Sequence, residues 1–446
     1  IFLYSSGFIT FPIMTKYLGT SNYGVFSQVL TLVSLTIPLA GLGLGTAIVK
    51  YTAGREDKQT VNREFVSALW WGLTVSFVLT FFFMVFAPQI NSWFIKTSDG
   101  DVILIFFAFN IVLLTLQKLC MEFFRAKHEV LKLSSLQVVQ TILNVIAVGI
   151  VLPFGWGLLA LVKAQIIINF ITLVLQLYLL VDKASDLMPD YRTALPLVRF
   201  GIPLVIAGTG NVFLNSGDRV ILGYFMNADA VGIYSAAYTW GLVIVSLASP
   251  LNFNLYPKLS EKWNQMDTHG LIDIANETSR IVGMIVIPAF IGLLAIGDII
   301  LFTLASPEFV VGASCIGIIA FALLLDQLSA TPHYILMIEG RSVFYSTIQI
   351  VSAVLNLIFN LILIPVAGIV GAAVSTLLAY LFLEGVIWWN VKYSFGELLD
   401  IKSLLKQFLA ALCMGGVVFL IKKPGIYGLF FSVFAGMISY ILFLFL

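Results

Sequence analysis

The residues of this sequence best suited to chemistry lie together in one apolar stretch. Gly208, Asn211, Asn215 and Asp218 recur at three- and four-residue spacing, which on a helix makes one polar stripe. Arg219 follows directly, about 100° round the helix, and shares a face with Asn215. A guanidinium beside amides can fork onto two oxygens of a phosphate. Three readings stand for it: a cavity wall formed with Asp218, Asn215 and Asn211; a buried ion pair; or a side chain snorkelling toward headgroups. Lys163 and Asp326 also sit inside apolar runs, where an ionisable group costs ~2.5–3.5 kcal/mol and so faces protein or water. Lys163 can hold an anion or snorkel, and Asp326 can bind a coupling ion or pair with a cation. Asp298 and Glu384 lie nearer run ends and read as solvated or interfacial. Lys118, Glu122 and Arg125 read as an ion-pair ladder at a helix end. The rings of Tyr234 and Tyr238 can stack on sugars, or serve as ordinary packing in a chain with 14% aromatic residues.

Bond-making chemistry has no such support. His128, His269 and His333 are scattered, as are Cys120, Cys315 and Cys413, with no metal or nucleophile spacing. No P-loop occurs. The sequence predicts no catalytic residue, metal, cofactor or nucleic-acid partner. Binding and moving a polar cargo is the chemistry left.

The elements that must position these groups follow from composition. Of 446 residues, 60% are hydrophobic and 11% charged, and the mean hydropathy is +1.02. Charge that sparse cannot coat a water-soluble globule of this size. Apolar runs of span length occupy 1–15, 25–49, 65–87, 102–124, 135–152, 158–181, 200–226, 231–256, 281–304, 310–336, 345–365, 369–389, 408–421 and 425–446. They are continuous rather than alternating, so the expected class is an all-α polytopic membrane protein of about fourteen helices, not a barrel. The chain starts at Ile1 and stops inside an apolar run at Leu446, so both ends are expected to be trimmed.

Lys and Arg set the orientation. Seventeen lie in the loops after even-numbered runs and four (Lys16, Lys96, Lys422, Lys423) after odd-numbered ones, while Lys118, Lys163 and Arg219 lie within runs. The bias predicts cytoplasmic even loops and cytoplasmic termini in a cell membrane. Outer loops are short, the largest at 88–101, and leave no room for a folded domain.

An internal repeat is readable. Gln137, Asn144 and Pro153 recur as Gln349, Asn356 and Pro365, each 212 residues on. A second match, 24–27 with 232–235, has an offset of 208, and a third, 33–39 with 245–251, has 212. The repeat pairs runs one to six with seven to twelve, both copies entering from the same side, as in parallel transporter repeats. The expected organisation is an N-terminal lobe at 1–181, a cytoplasmic linker at 182–199, a C-terminal lobe at 200–391 and two extra helices at 392–446. In the second run Pro38 precedes Gly41, Gly43 and Gly45, and Pro250 disturbs the eighth. Kinks there can act as gates, or the small residues can serve tight packing.

Three blocks resemble a known family. They are residues 17–26 ending in Gly41-Leu42-Gly43-Leu44-Gly45-Thr46-Ala47, then Asp218-Arg219-Val220-Ile221-Leu222-Gly223 followed by 231–238, then Glu339-Gly340-Arg341 through Asn356, Pro365 and Gly371. In order and across the whole chain, they resemble polysaccharide-biosynthesis flippases, the Wzx-type members of the multidrug/oligosaccharidyl-lipid/polysaccharide exporter superfamily. The resemblance implies two lobes around a cavity that opens alternately to the two sides. The implied cargo is a polyprenyl-phosphate-linked oligosaccharide, turned to the outer leaflet, with other glycan-assembly membrane proteins as partners. It also implies cavity cations for the phosphate, with Arg219 the best match and Lys163 second; the first run has no Arg, unlike some lipid-II-type relatives. A drug/cation antiporter of the same superfamily is the rival reading, with Asp326 its candidate acidic site. A glycan polymerase would need larger outer loops.

Overall fold

Apolar runs satisfy their own backbone in lipid only as helices, and helices are what this chain forms. The computed structural model describes residues 2–52, 57–181, 191–252, 255–395 and 398–445. The elements of the first half are α1 (Phe2–Ala40), α2 (Leu44–Thr52), α3 (Lys58–Val85), α4 (Ala87–Ile90), a π-helical turn (Asn91–Ile95), α5 (Gly100–Ala126), α6 (Val130–Val151), α7 (Gly157–Val181) and α8 (Tyr191–Phe225). There follow α9 (Ala228–Gly241), α10 (Val243–Asn252), α11 (Leu255–Asn264), α12 (Thr268–Leu304), a 3₁₀ turn (Pro307–Gly312), α13 (Ala313–Leu328), α14 (Ala330–Ile338), α15 (Ser342–Phe395), α16 (Ile401–Ile421) and α17 (Ile426–Phe445). Among the described residues there is no strand. The protein is an all-α, multi-pass membrane protein.

Among the described residues, twelve helices are long and apolar enough to cross a bilayer. Two exceed one crossing, since ~20 residues span the hydrocarbon core, whereas 6–40 holds 35 and 342–392 holds 51. Each contains one glycine outside helical geometry, Gly19 (φ 68°) and Gly368 (φ 57°). Positive φ costs glycine little, so a single residue redirects the chain where the sequence suggested a loop. The outer loop expected near 17–23 is therefore reduced to a kink at Gly19, and each of the two long elements is a pair of helices joined across its glycine. The expected eighth and tenth runs are each divided, at Leu242 and at Ser329.

The chain forms two compact units. One is residues 21–228, so α8 packs with the helices of the first half. Its core joins α2, α3, α5 and α7 through Ile48, Phe65, Leu119, Phe123 and Leu173, with the Phe65 and Phe123 rings stacked at 4.0 Å. Farther along α5, polar residues hold its packing with α6 and α7. Asn169 donates to Asn110 Oδ1 at 2.7 Å, and Gln140 donates to Asn169 Oδ1 at 2.9 Å and to Gln117 Oε1 at 3.0 Å. Interhelical amide bonds of this kind hold membrane helices where lipid offers no hydrophobic drive. Asn169→Leu would strand the Gln140 and Asn110 partners, and we expect a loss of about 1–3 kcal/mol. The check is the melting midpoint in detergent; an unchanged midpoint would show that the network carries no stability.

The other unit is residues 3–20 with 229–446. Phe8 and Phe11 of α1 pack on Trp240 of α9, each with 5.7 Å between ring centroids. Asp267 starts α12 by accepting from the Gly270 N–H at 2.8 Å, and Lys262 at 2.8 Å holds its carboxyl below the usual range. Lys422, one of the outer-side lysines in the sequence reading, pairs with Asp298 at 2.9 Å and ties the end of α16 to α12. That contact satisfies both charges near helix ends. The expected linker at 182–199 lies outside the described residues over 182–190.

Candidate functional site: a polar cavity at a broken helix

The helix break predicted from Pro38 and the three glycines is present. α1 stops at Ala40, the chain turns through 41–43, and α2 resumes at Leu44. Leu42 (φ 49°) and Gly43 (φ 66°) are both left-handed. The break is held open by close backbone contact with α8: a Cβ built on Gly43 would fall well inside 3.0 Å of the Gly201 carbonyl, and one on Gly201 would meet the Leu42 carbonyl as closely. Gly45 leaves room for the Glu122 side chain, 3.0 Å from where its own Cβ would lie.

Beside this break, within residues 21–228, lies a cavity of about 340 Å³, in the range of small-molecule sites. Pro38, Gly41, Gly43, Gly45 and Thr46 form one wall; Thr115, Lys118 and Glu122 of α5 form the second; Leu204, Gly208 and Asn211 of α8 form the third. Glu122 is neutralised by Arg125 at 3.3 Å, the rung of the ladder foreseen in the sequence. Lys118 is exposed and makes no ion pair among the described residues. It stands eight residues before the end of α5, hence about 12 Å within the helix. Asn211 is exposed too, its backbone carbonyl accepting from Asn215 Nδ2 at 2.8 Å. The Lys118 ammonium, the Asn211 amide and the exposed Thr46, set among apolar and small residues, together suit a hydroxylated head carrying an anionic group.

Residues 2–263 match the model of the polysaccharide biosynthesis protein family. The chain belongs to this family. Among curated relatives, the probable low-salt glycan biosynthesis flippase Agl15 of Haloferax volcanii is 24% identical over 97% of this chain and 90% of its own. Among solved structures, the lipid II flippase MurJ in an inward closed conformation matches with TM-score 0.83 at 13% identity, covering 99% of this chain and 96% of MurJ. An inward-facing multidrug resistance transporter of the MATE family matches with TM-score 0.71 at 16% identity, covering 89% and 95%. These likenesses show the fold.

In this family member the other residues singled out from sequence are dispersed. Gly208 and Asn211, from the top of the polar stripe, line the cavity. Asp218 and Arg219, from its lower end, are buried, with the Arg219 guanidinium donating to the Asn215 carbonyl at 3.2 Å and lying 3.6 Å from Asp218. Lys163 is on α7, its ammonium 4.8 Å from the Phe106 ring centroid. Tyr234 and Tyr238 are packed in the interior of α9, 0% and 2% exposed. Pro250 ends α10. Asp326 lies beside His333 and Glu384. Glu384, expected to be solvated or interfacial, is 4% exposed and bonds His333 at 2.9 Å, because its face of α15 packs against α13 and α14.

Sequence reasoning passed over Lys118. Its signal was the same one that marked Arg219, a cation more than a helical turn inside an apolar run. The Glu122–Arg125 neighbours disguised it as part of a surface ladder.

Proposed function

We propose that the protein is a flippase that carries a polyprenyl-phosphate-linked oligosaccharide from the cytoplasmic to the outer leaflet by alternating access, for cell-surface glycan assembly. The observation that carries this reading is the polar cavity at the 41–43 break, with the accessible ammonium of Lys118 inside it. Family membership and the flippase named among its relatives support the same cargo.

The physics of the cargo explains the design. A sugar head taken bare through hydrocarbon leaves each hydroxyl unpaired, at several kcal/mol apiece. A cavity that offers an ammonium, an amide and a hydroxyl replaces part of those lost bonds, while the isoprenoid tail stays in lipid. Lys118 meets the phosphate, and Asn211 and Thr46 meet hydroxyls. Arg219 and Lys163 supply further positive charge, and the break at Pro38–Gly45 and Pro250 within α10 serve as hinges. No bond is made or broken, so the protein is not an enzyme. The charge bias places both termini in the cytoplasm of a cell membrane, and puts Lys118 nearer the cytoplasmic end of α5, where the cargo is loaded. The repeat sets two lobes, 1–181 and 200–391, joined by 182–199 and followed by 392–446, whose first helices are exchanged: residues 3–20 pack with 229–446 and α8 packs with 21–181.

The test is a deletion strain. We expect lipid-linked glycan to accumulate on the inner leaflet and surface glycan to fall, with both restored by the wild-type chain. Unchanged glycan display would refute the reading. The antiporter reading draws on the multidrug-transporter fold and on the acidic pair Asp326 and Glu384. Substrate-stimulated ion efflux from vesicles lacking lipid-linked glycan would favour it.

A further inference from the structure

Away from the cavity, three helices of the 229–446 unit bring ionisable groups together. Asp326 comes from the last turn of α13, His333 from the first turn of α14 and Glu384 from α15. One ligand atom from each lies within 4.8 Å of the other two. His333 Nε2 and Glu384 Oε2 are 2.9 Å apart. The other Glu384 oxygen, Oε1, is buried without a hydrogen-bond partner, in a side chain that is 5% exposed.

The surroundings fix the ligands rather than neutralise them. Asp326 Oδ2 accepts from Gln327 Nε2 at 2.7 Å, and Gln327 Oε1 accepts from Asn252 at 3.2 Å. The joint between α13 and α14 is pinned to α15 by Trp388, one turn past Glu384, whose indole N–H donates to Ser329 Oγ at 2.8 Å. Tyr345 covers the imidazole, with 5.2 Å between ring centroids. Among the described residues no Lys or Arg pairs with either carboxylate. Two carboxyl groups and an imidazole crowd one low-dielectric interior, where carboxylate charge costs several kcal/mol per ion unless a cation joins it.

We infer that Asp326, His333 and Glu384 form a binding site for a divalent transition-metal cation of the zinc or manganese class. One imidazole nitrogen with two carboxylate oxygens is a donor set for such ions, whereas Na⁺, Mg²⁺ and Ca²⁺ favour all-oxygen cages. Three atoms no more than 4.8 Å apart share a centre at most about 2.8 Å from each. Closing by under ~1 Å reaches the ~2.0–2.2 Å bonds of zinc to nitrogen and oxygen. A bound dication cancels both carboxylates and clamps the α13–α14 joint onto α15. Gln327 and Trp388 supply the outer support that orients metal ligands.

The test uses the purified full-length chain in detergent, stripped with a chelator, incubated with ZnCl₂ or MnCl₂ and desalted. Elemental analysis is expected to find about one metal per chain in wild type, with retention at least ~10-fold lower in His333→Gln and Glu384→Gln. The melting midpoint is expected to rise with Zn²⁺ or Mn²⁺ in wild type and not in the variants. Mg²⁺, Ca²⁺ or Na⁺ should leave it unmoved. Absence of retained metal in wild type, equal retention in the variants, or the same midpoint rise from acidification alone would overturn the assignment. Co²⁺ loading of wild type decides independently of whether a variant folds: ligand-field bands of low-coordinate Co²⁺ support the site, and the spectrum of the hydrated ion refutes it. None of the three ligands lines the cavity, so failure here leaves the flippase reading standing.

Discussion

Gly43→Ala is expected to lower transport at least ~10-fold and to depress the melting midpoint. Two costs act at one residue. A left-handed backbone costs an L-residue roughly 1–2 kcal/mol, and Gly43 has φ 66°. The added methyl would also enter the Gly201 backbone, which cannot rotate away as a side chain can, and overpacking of that kind costs typically 1–3 kcal/mol. The sum exceeds the 1.4 kcal/mol that corresponds to a factor of ten. Gly201→Ala separates the two terms, since it sits in α8 and suffers the collision without the backbone penalty. It should show a smaller but clear defect. Gly149→Ala in α6, with nothing within 4 Å of the new Cβ, should behave as wild type. Equal activity for all three would mean that the joint between the 41–43 turn and α8 plays no part in transport.

Lys118→Gln is the second large effect. The substitution keeps length and polarity and removes the charge, so folding should be preserved. No ion pair is broken among the described residues, because Glu122 keeps Arg125. A charge-assisted hydrogen bond from an ammonium to an anionic oxygen contributes about 1.5–3 kcal/mol. We therefore expect a ~10–100-fold loss of flipping for a phosphate-linked glycan, with Lys118→Arg retaining most of the activity. Arg219→Ala is expected to lower flipping as well, and the lost hydrogen bond to the Asn215 carbonyl and ion pair with Asp218 make a stability loss part of its signature. Comparing melting midpoints of the two variants separates a charge that meets cargo from one that supports the fold.

How much of this was legible without coordinates depends on sequence distance. Continuous apolar runs announced helices because lipid permits little else. Pro38, Gly41, Gly43 and Gly45 announced the broken helix because their own backbone preferences produce it. The breaks at Gly19 and Gly368 were harder to read: one glycine turns the chain where composition suggested a loop at 17–23. Asn211 was marked by its stripe, yet the same stripe divides, with Asn211 at the cavity and Asp218 buried in helix packing. Lys118 looked like a surface rung because its neighbours at i+4 and i+7 carry charge. Contacts between distant segments left no local trace. Gly43 and Gly201 lie 158 residues apart and touch through backbone alone. His333 and Glu384 are 51 residues apart and meet only because α14 and α15 pack. Periodicity reports what one helix does; it does not report which helix lies beside it.

Flipping itself is the most direct measurement. The purified protein would be reconstituted into liposomes carrying a fluorescent polyprenyl-phosphate-linked oligosaccharide, and label in the outer leaflet quenched with a membrane-impermeant reductant. Wild type is predicted to expose nearly all of the label with time, while Lys118→Gln and Gly43→Ala leave about the inner-leaflet half protected. Quenching in wild-type vesicles that stops where it stops in protein-free liposomes, or that proceeds equally in the Lys118→Gln and Gly43→Ala vesicles, would contradict the account.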